Sequence, residues 1–192
     1  MMTQNSARRA GVRSLGILVF ILFSSVAAHA ANVSFSPVST TQTNGATFSL
    51  DLVGTGFNSG DLDGGGIDFN FNVNVVQVVS VTVDTATWEF FSDNGVIDNS
   101  LGTVSEIQFN SFLPRSGDLL FATVEFLAVG EGVSLLGLSE FLGNPFATGG
   151  ALYPGLEFDR NGSITVAAIP LPGAIWLFAS AAGLAGFWRR TS

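Results

Sequence analysis

Apolar and polar residues alternate with a period of two through Ile67-Asp-Phe-Asn-Phe-Asn-Val73. Ile67, Phe69, Phe71 and Val73 fall on one side, and Asp68, Asn70 and Asn72 on the other. Successive side chains of a strand point to opposite faces, so this pattern predicts a strand buried on one side. Ala46, Phe48, Leu50 and Leu52 predict a second such strand. Leu120, Ala122, Val124, Phe126 and Ala128 predict a third, whose opposite face carries Leu119, Phe121 and Leu127 and is apolar enough to be covered too. Val78 to Val83 is β-branched, Ile107 and Phe109 alternate, and Ser163-Ile-Thr-Val166 closes the series. Turn residues punctuate these runs at Asn44-Gly45, Asp61 to Gly66, Asp93-Asn-Gly95, Ser116-Gly-Asp118 and Asn161-Gly162. No ten-residue stretch between 31 and 166 keeps a helical period. Many short strands at this spacing predict an all-β domain, an antiparallel sandwich.

Charge divides the 192 residues into two ends and a middle. Before position 31 the only charges are Arg8, Arg9 and Arg13; beyond 166 they are Arg189 and Arg190. All 15 acids lie between Asp51 and Asp159, with Arg115 and Arg160 as the only cations there, so residues 31–166 carry −13. That acidity excludes nucleic-acid binding through phosphate neutralisation. The N-terminal end has a basic region, an apolar run from Leu15 to Phe23, and small residues ending Ala28-His29-Ala30. This is the pattern of a secretory signal peptide over residues 1–30, cut after Ala30, with Ala28 and Ala30 forming the small-residue site. The apolar run is short for a membrane span, and the residues around Arg8-Arg9 fit general secretion better than twin-arginine export.

The other end, 167–192, is tripartite: a Pro-broken segment at Ile169-Pro170-Leu171-Pro172-Gly173, an uncharged apolar helix over about 173–188, and Arg189-Arg190 as a cationic stop. Trp176 and Trp188 lie near the helix ends, where an interfacial belt places them, and the positive-inside rule puts the two arginines in the cytoplasm. This order closely resembles the PEP-CTERM sorting signal in its Val-Pro-Leu-Pro-Ala variety, with conservative departures at Ile169 and Gly173. The resemblance implies an exosortase-type membrane enzyme as processing partner, at least transient residence in the inner membrane, and delivery to the surface or exopolysaccharide-rich matrix of a Gram-negative bacterium.

The middle carries a second resemblance. The succession Ala46-Thr-Phe-Ser-Leu-Asp-Leu52, Gly66-Ile-Asp-Phe-Asn-Phe-Asn72, Val76-Gln-Val-Val-Ser-Val81, Ser116-Gly-Asp-Leu-Leu-Phe-Ala-Thr-Val-Glu-Phe126 and Asn161-Gly-Ser-Ile-Thr-Val166 resembles a cohesin-type domain over roughly 46–166. That likeness implies a jelly-roll β-sandwich related to cellulose-binding modules. Cellulosomal cohesins bind dockerins, but the matching residues are strand and turn residues, and none transfers a binding role.

Candidate chemistry is narrow. The chain has no Cys, and its single His is His29, inside the leader. The sequence also has no Lys, so the mature chain lacks Ser-His-Asp, Cys-His, Schiff-base and His-ligated metal chemistry. A carboxylate pair facing one cleft is the remaining catalytic arrangement, and 15 acids single out no such pair. The expectation is a non-enzyme without a cofactor. Asp61, Asp63 and Asp68, separated by glycines, are candidate oxygen ligands for Ca²⁺, although the spacing is not that of an EF-hand; the alternative is a solvated turn feeding the Ile67 strand. Trp88-Glu-Phe-Phe91 concentrates three aromatics beside Asp93 and Asn94. Trp88, Phe91 and, more distantly, Tyr153 are candidates for stacking on sugar rings, with core packing as the alternative for most of them. The glycosylation sequons Asn32-Val-Ser34 and Asn161-Gly-Ser163 add little in a bacterial setting. The reading is an exported, non-catalytic adhesion module that engages a surface protein or an extracellular polysaccharide.

Overall fold

A computed structural model describes residues 30–168, except for the side chains of residues 58–61. Ala30 is its first residue; Ala28, the Ile169–Gly173 motif, the apolar helix and Arg189-Arg190 lie outside the described residues. The elements are β1 (Ala31–Ser36), β2 (Ser39–Thr43), β3 (Thr47–Asn70), β4 (Val76–Val83), β5 (Phe91–Asp98), β6 (Thr103–Ala128), β7 (Gly132–Glu140), β8 (Ala147–Thr148), β9 (Ala151–Leu152), β10 (Leu156–Phe158) and β11 (Gly162–Ala167). The described residues contain no helix, so the all-β class predicted from alternation is the observed one.

The strands are not uniformly short. β3 spans 24 residues and β6 spans 26, and they pair antiparallel from Thr47↔Leu127 to Asn70↔Thr103. Register shifts between Gly54 and Gly64 bend this ribbon back on itself, so its two halves serve two layers. Where the ribbon's first half lies, β1 flanks β3 and β4 flanks β6, with β10 outside β1. Along the second half, β7 flanks β3 and β5 flanks β6, while β11 and β2 extend the layer beyond β7. The layers meet through rings: Phe109 stacks on Phe121 at 4.5 Å, Phe35 meets Phe69 edge-on at 5.3 Å, and Phe69 lies 6.3 Å from Phe126. Each buried large apolar side chain adds roughly 1.5–3 kcal/mol, so this aromatic seam dominates the sandwich core.

Four local readings of the pattern change. Ser116-Gly-Asp118 and Asp93-Asn-Gly95 lie inside β6 and β5 instead of ending strands, because positive φ at Gly117 (92°) and Gly95 (79°) lets the backbone bulge without breaking pairing. Asp61 to Gly66 is strand as well. Alternation puts Leu120 on one face with Ala122, Val124 and Phe126, yet Leu120 is exposed and Leu119 and Phe121 are buried. A bulge causes this: Leu52 pairs with Ala122 but Val53 with Leu120, so the alternation inverts at Phe121. The carbonyls at this kink are capped, Phe121 O accepting from Asp84 N–H at 3.0 Å and Leu120 O from the Trp88 indole N–H at 2.8 Å.

Strand β4 lies at an edge of its layer, where an unpaired ladder invites association. Asn99 covers it like a missing strand: its Oδ1 accepts from Val78 N–H and its Nδ2 donates to Val78 O, both at 2.9 Å. Asn94 Oδ1 accepts from Val83 N–H at 3.0 Å. Asn99→Ala is expected to cost roughly 1–3 kcal/mol by stranding both Val78 groups, read as a fall in the urea midpoint; an unchanged midpoint would show that water replaces the amide fully.

Candidate functional site

The outer face of the β5–β6–β3–β7 layer holds a shallow hollow of about 280 Å³. Its floor comes from outward positions of three strands: Asp68 and Asn70 of β3, Thr103 and Ser105 of β6, and Gly137 and Ser139 of β7. Pairing aligns Asp68 with Ser139, and Asn70 with both Gly137 and Thr103. Gly137 N–H donates to Asn70 Oδ1 at 2.9 Å, and because a Cβ would stand 2.3 Å from that oxygen, any larger residue would have to turn the Asn70 side chain away. Exposed apolar side chains flank the hollow, Val96 on β5 and Val133 and Leu135 on β7. The result is a mostly flat, polar-centred face too shallow to enclose a small molecule, since ligand pockets of that kind run roughly 300–1,000 Å³ and bury most of the ligand.

Glu106 lies at the edge of this face with φ 64°, a left-handed conformation that costs a non-glycine residue about 1–2 kcal/mol. Val104 and Ile107 are both fully buried although three positions apart, so one extra residue must loop out between them. Asp68 holds that bulge, its Oδ1 accepting from Glu106 N–H at 2.7 Å. Strain held in place by neighbours concentrates at working surfaces. Glu106→Gly is expected to raise the unfolding free energy by roughly 0.5–1 kcal/mol; a lower melting temperature would contradict that account.

The residues singled out for calcium stand as follows. Asp63 Oδ2 accepts from Gly150 N–H at 3.3 Å, Asp68 accepts from Glu106, and the Asp61 side chain lies outside the described residues. Among the described residues no three acidic or histidine side chains group closely enough to hold a metal ion. The glycines between these acids answer to packing: a Cβ on Gly65 would lie 2.6 Å from the Phe146 ring, and one on Gly64 would lie 2.4 Å from Phe109 O.

The aromatic candidates separate. Trp88 is 1% exposed, with ring centroids 4.8 Å from Phe109 and 5.7 Å from Phe121, and offers no face to a sugar. Tyr153 is buried, 5.1 Å from Phe57. Phe91 is exposed on β5. Two further aromatics are exposed, Phe90 and Phe112, edge to face at 4.7 Å, with the exposed Leu113 next to Phe112 in sequence. Phe112-Leu113 was legible as an adjacent apolar pair before Pro114, because alternation forbids both from facing inward.

Beneath these rings Glu89 joins both segments, accepting from Arg115 Nη2 at 2.9 Å and from Phe112 N–H at 3.3 Å. Its carboxyl is held below the usual glutamate range, first by the backbone N–H of its own residue and then by Arg115 and Phe112. With the native value depressed, the clamp is complete above the unfolded value and is lost as pH falls through the lowered native one.

No protein-family model matches the sequence, and no curated protein matches it. Solved structures do match in fold. The third ScaC cohesin of Acetivibrio cellulolyticus, in complex with the ScaB dockerin, shows 15% identity and a TM-score of 0.55 over 72% of this chain and 99% of its own. The cohesin–dockerin complex Coh-OlpC-Doc435 of Clostridium thermocellum aligns at 13% identity and TM-score 0.54, covering 72% and 93%. A non-cellulosomal cohesin from the hyperthermophilic archaeon Archaeoglobus fulgidus aligns at 15% and 0.51, covering 76% and 94%. The fold is cohesin-like.

Proposed function

We propose that this chain is an exported, non-catalytic module that binds a protein partner through the outer face of the β5–β6–β3–β7 layer. The observation that carries the reading is that face itself: a polar hollow flanked by exposed Val96, Val133 and Leu135, on a fold whose solved neighbours include cohesins complexed with dockerins. Apolar side chains around a bonded polar centre are the makings of a protein interface. A leader ending at Ala30 would release a chain beginning where β1 begins, and the Ile169–Gly173 motif would follow β11 almost directly. An exosortase-type enzyme would process that tail at the inner membrane, leaving the domain at the surface or in the matrix of a Gram-negative bacterium.

Two experiments test this. The purified chain is used to capture a partner from the host's surface fraction, and the identified partner's Kd is compared for wild type and a Val96→Arg, Leu135→Arg double variant. A weakening of about tenfold or more supports the face, since buried charge opposes docking; equal affinity removes it. For sorting, a chain lacking 169–192 is followed through cell fractions, and unchanged surface delivery would remove the exosortase part.

A further inference from the structure

At the bent end of the β3–β6 ribbon, pairing steps from Leu62↔Arg115 to Gly64↔Asn110. Over that step β3 advances two residues while β6 advances five, so residues 111–114 are pushed out as a knob. Phe112 and Leu113 ride on it, 69% and 66% exposed, and Phe90 leans against Phe112, 60% exposed. The knob is fixed from several sides: Ser111 Oγ donates to Leu113 O, Phe90 N–H donates to Asn110 O at 3.1 Å, and Glu89 bonds both Phe112 N–H and Arg115. This end also lies away from the end of β11: β1 starts near Gly56 at the bend, whereas Ala167 O accepts from Asn44 N–H at the opposite end. A chain held by its tail would present the knob outward.

We infer that this knob is a second binding site, for neutral polysaccharide, with Phe90 and Phe112 stacking on the apolar faces of sugar rings and Glu89 and Arg115 bonding hydroxyls at the rim. Contiguous exposed apolar side chains held in a fixed shape mark contact sites. Three apolar side chains are far fewer than the 20–30 residues a side of a standard protein interface, about the extent that a few sugar rings cover. The charge of −13 on residues 31–166 opposes polyanions, which leaves uncharged glycans as the matching ligand. Glu89 and Arg115 neutralise one another, and their side chains are still about a third exposed, within reach of hydroxyls. This inference is independent of the protein-binding face, which lies on other residues.

The full chain is run by native electrophoresis through gels cast with hydroxyethylcellulose, galactomannan or alginate. The expected result is retardation by at least one neutral polymer and none by alginate. A Phe90→Ser, Phe112→Ser double variant should bind at least about tenfold more weakly, the loss of two aromatic contacts, while Leu101→Ser, in the exposed turn between β5 and β6, should run as wild type. Should the double variant not keep the wild-type melting temperature, Leu113→Ser replaces it. Free passage of the wild type through both neutral gels overturns the proposal, as do equal retardation by alginate and an unweakened knob variant. So does a knob substitution that changes only the chain's sedimentation, which would place the knob at a protein contact.

Discussion

Trp88→Ala is expected to lower the unfolding free energy by roughly 3–5 kcal/mol, the range for truncating a large buried aromatic. The ring is 1% exposed and packs against both members of the stacked Phe109–Phe121 pair, so alanine leaves a cavity beside them that they cannot fill without giving up their own stacking. A second loss adds to the first. The indole N–H is the donor to Leu120 O at the bulge where β6 inverts its facing, and alanine removes that bond. Trp88→Phe separates the two contributions: it keeps most of the apolar volume but removes the donor, for roughly 1–3 kcal/mol. Urea unfolding of the three chains measures both. A loss below about 1 kcal/mol for the alanine variant would mean that the ring is not a core element. Any ligand binding lost in Trp88→Ala would follow from unfolding, which makes Phe90 and Phe112 the informative positions for binding.

Gly65→Ala is expected to destabilise the domain by roughly 1–3 kcal/mol or more, although it adds a single methyl group. Its Cβ would stand 2.6, 2.7 and 2.9 Å from atoms of the Phe146 ring, which is itself buried against Phe57, Phe109 and Phe121. No flexible side-chain end is available to yield. Phe146→Leu in the same chain should recover part of the loss by opening space, a coupling that a double-mutant cycle reads directly. Simple additivity would contradict the steric account.

The glycine run shows why parts of the site were hard to read from the sequence. Asp61 to Gly66 has the composition of a turn, and composition cannot reveal that Phe141 and Phe146 press on the same backbone from a segment some eighty residues later. The hollow is similar: Asp68, Thr103 and Gly137 come from three strands distant in sequence, and only register aligns them. Phe90 and Phe112 were equally separate until a five-for-two mismatch in pairing brought them together.

What the sequence determined by itself is the material of the fold. Its period-two alternation marks the strands and their inner faces at Ile67, Phe69, Val124 and Phe126, because side-chain direction in a strand is set by the local backbone alone. It also sets the acidity of the middle and the absence of Cys, Lys and His side chains from it. Only the tertiary structure decided where strands continue through apparent turns, that Leu120 faces out while Phe121 faces in, and which aromatics are buried. Those outcomes depend on bulges and on contacts between distant strands. Trp88 and Phe90, two residues apart in a single aromatic run, end in the core and in solvent because Phe121 and Phe109 lie over one and nothing covers the other to the same extent.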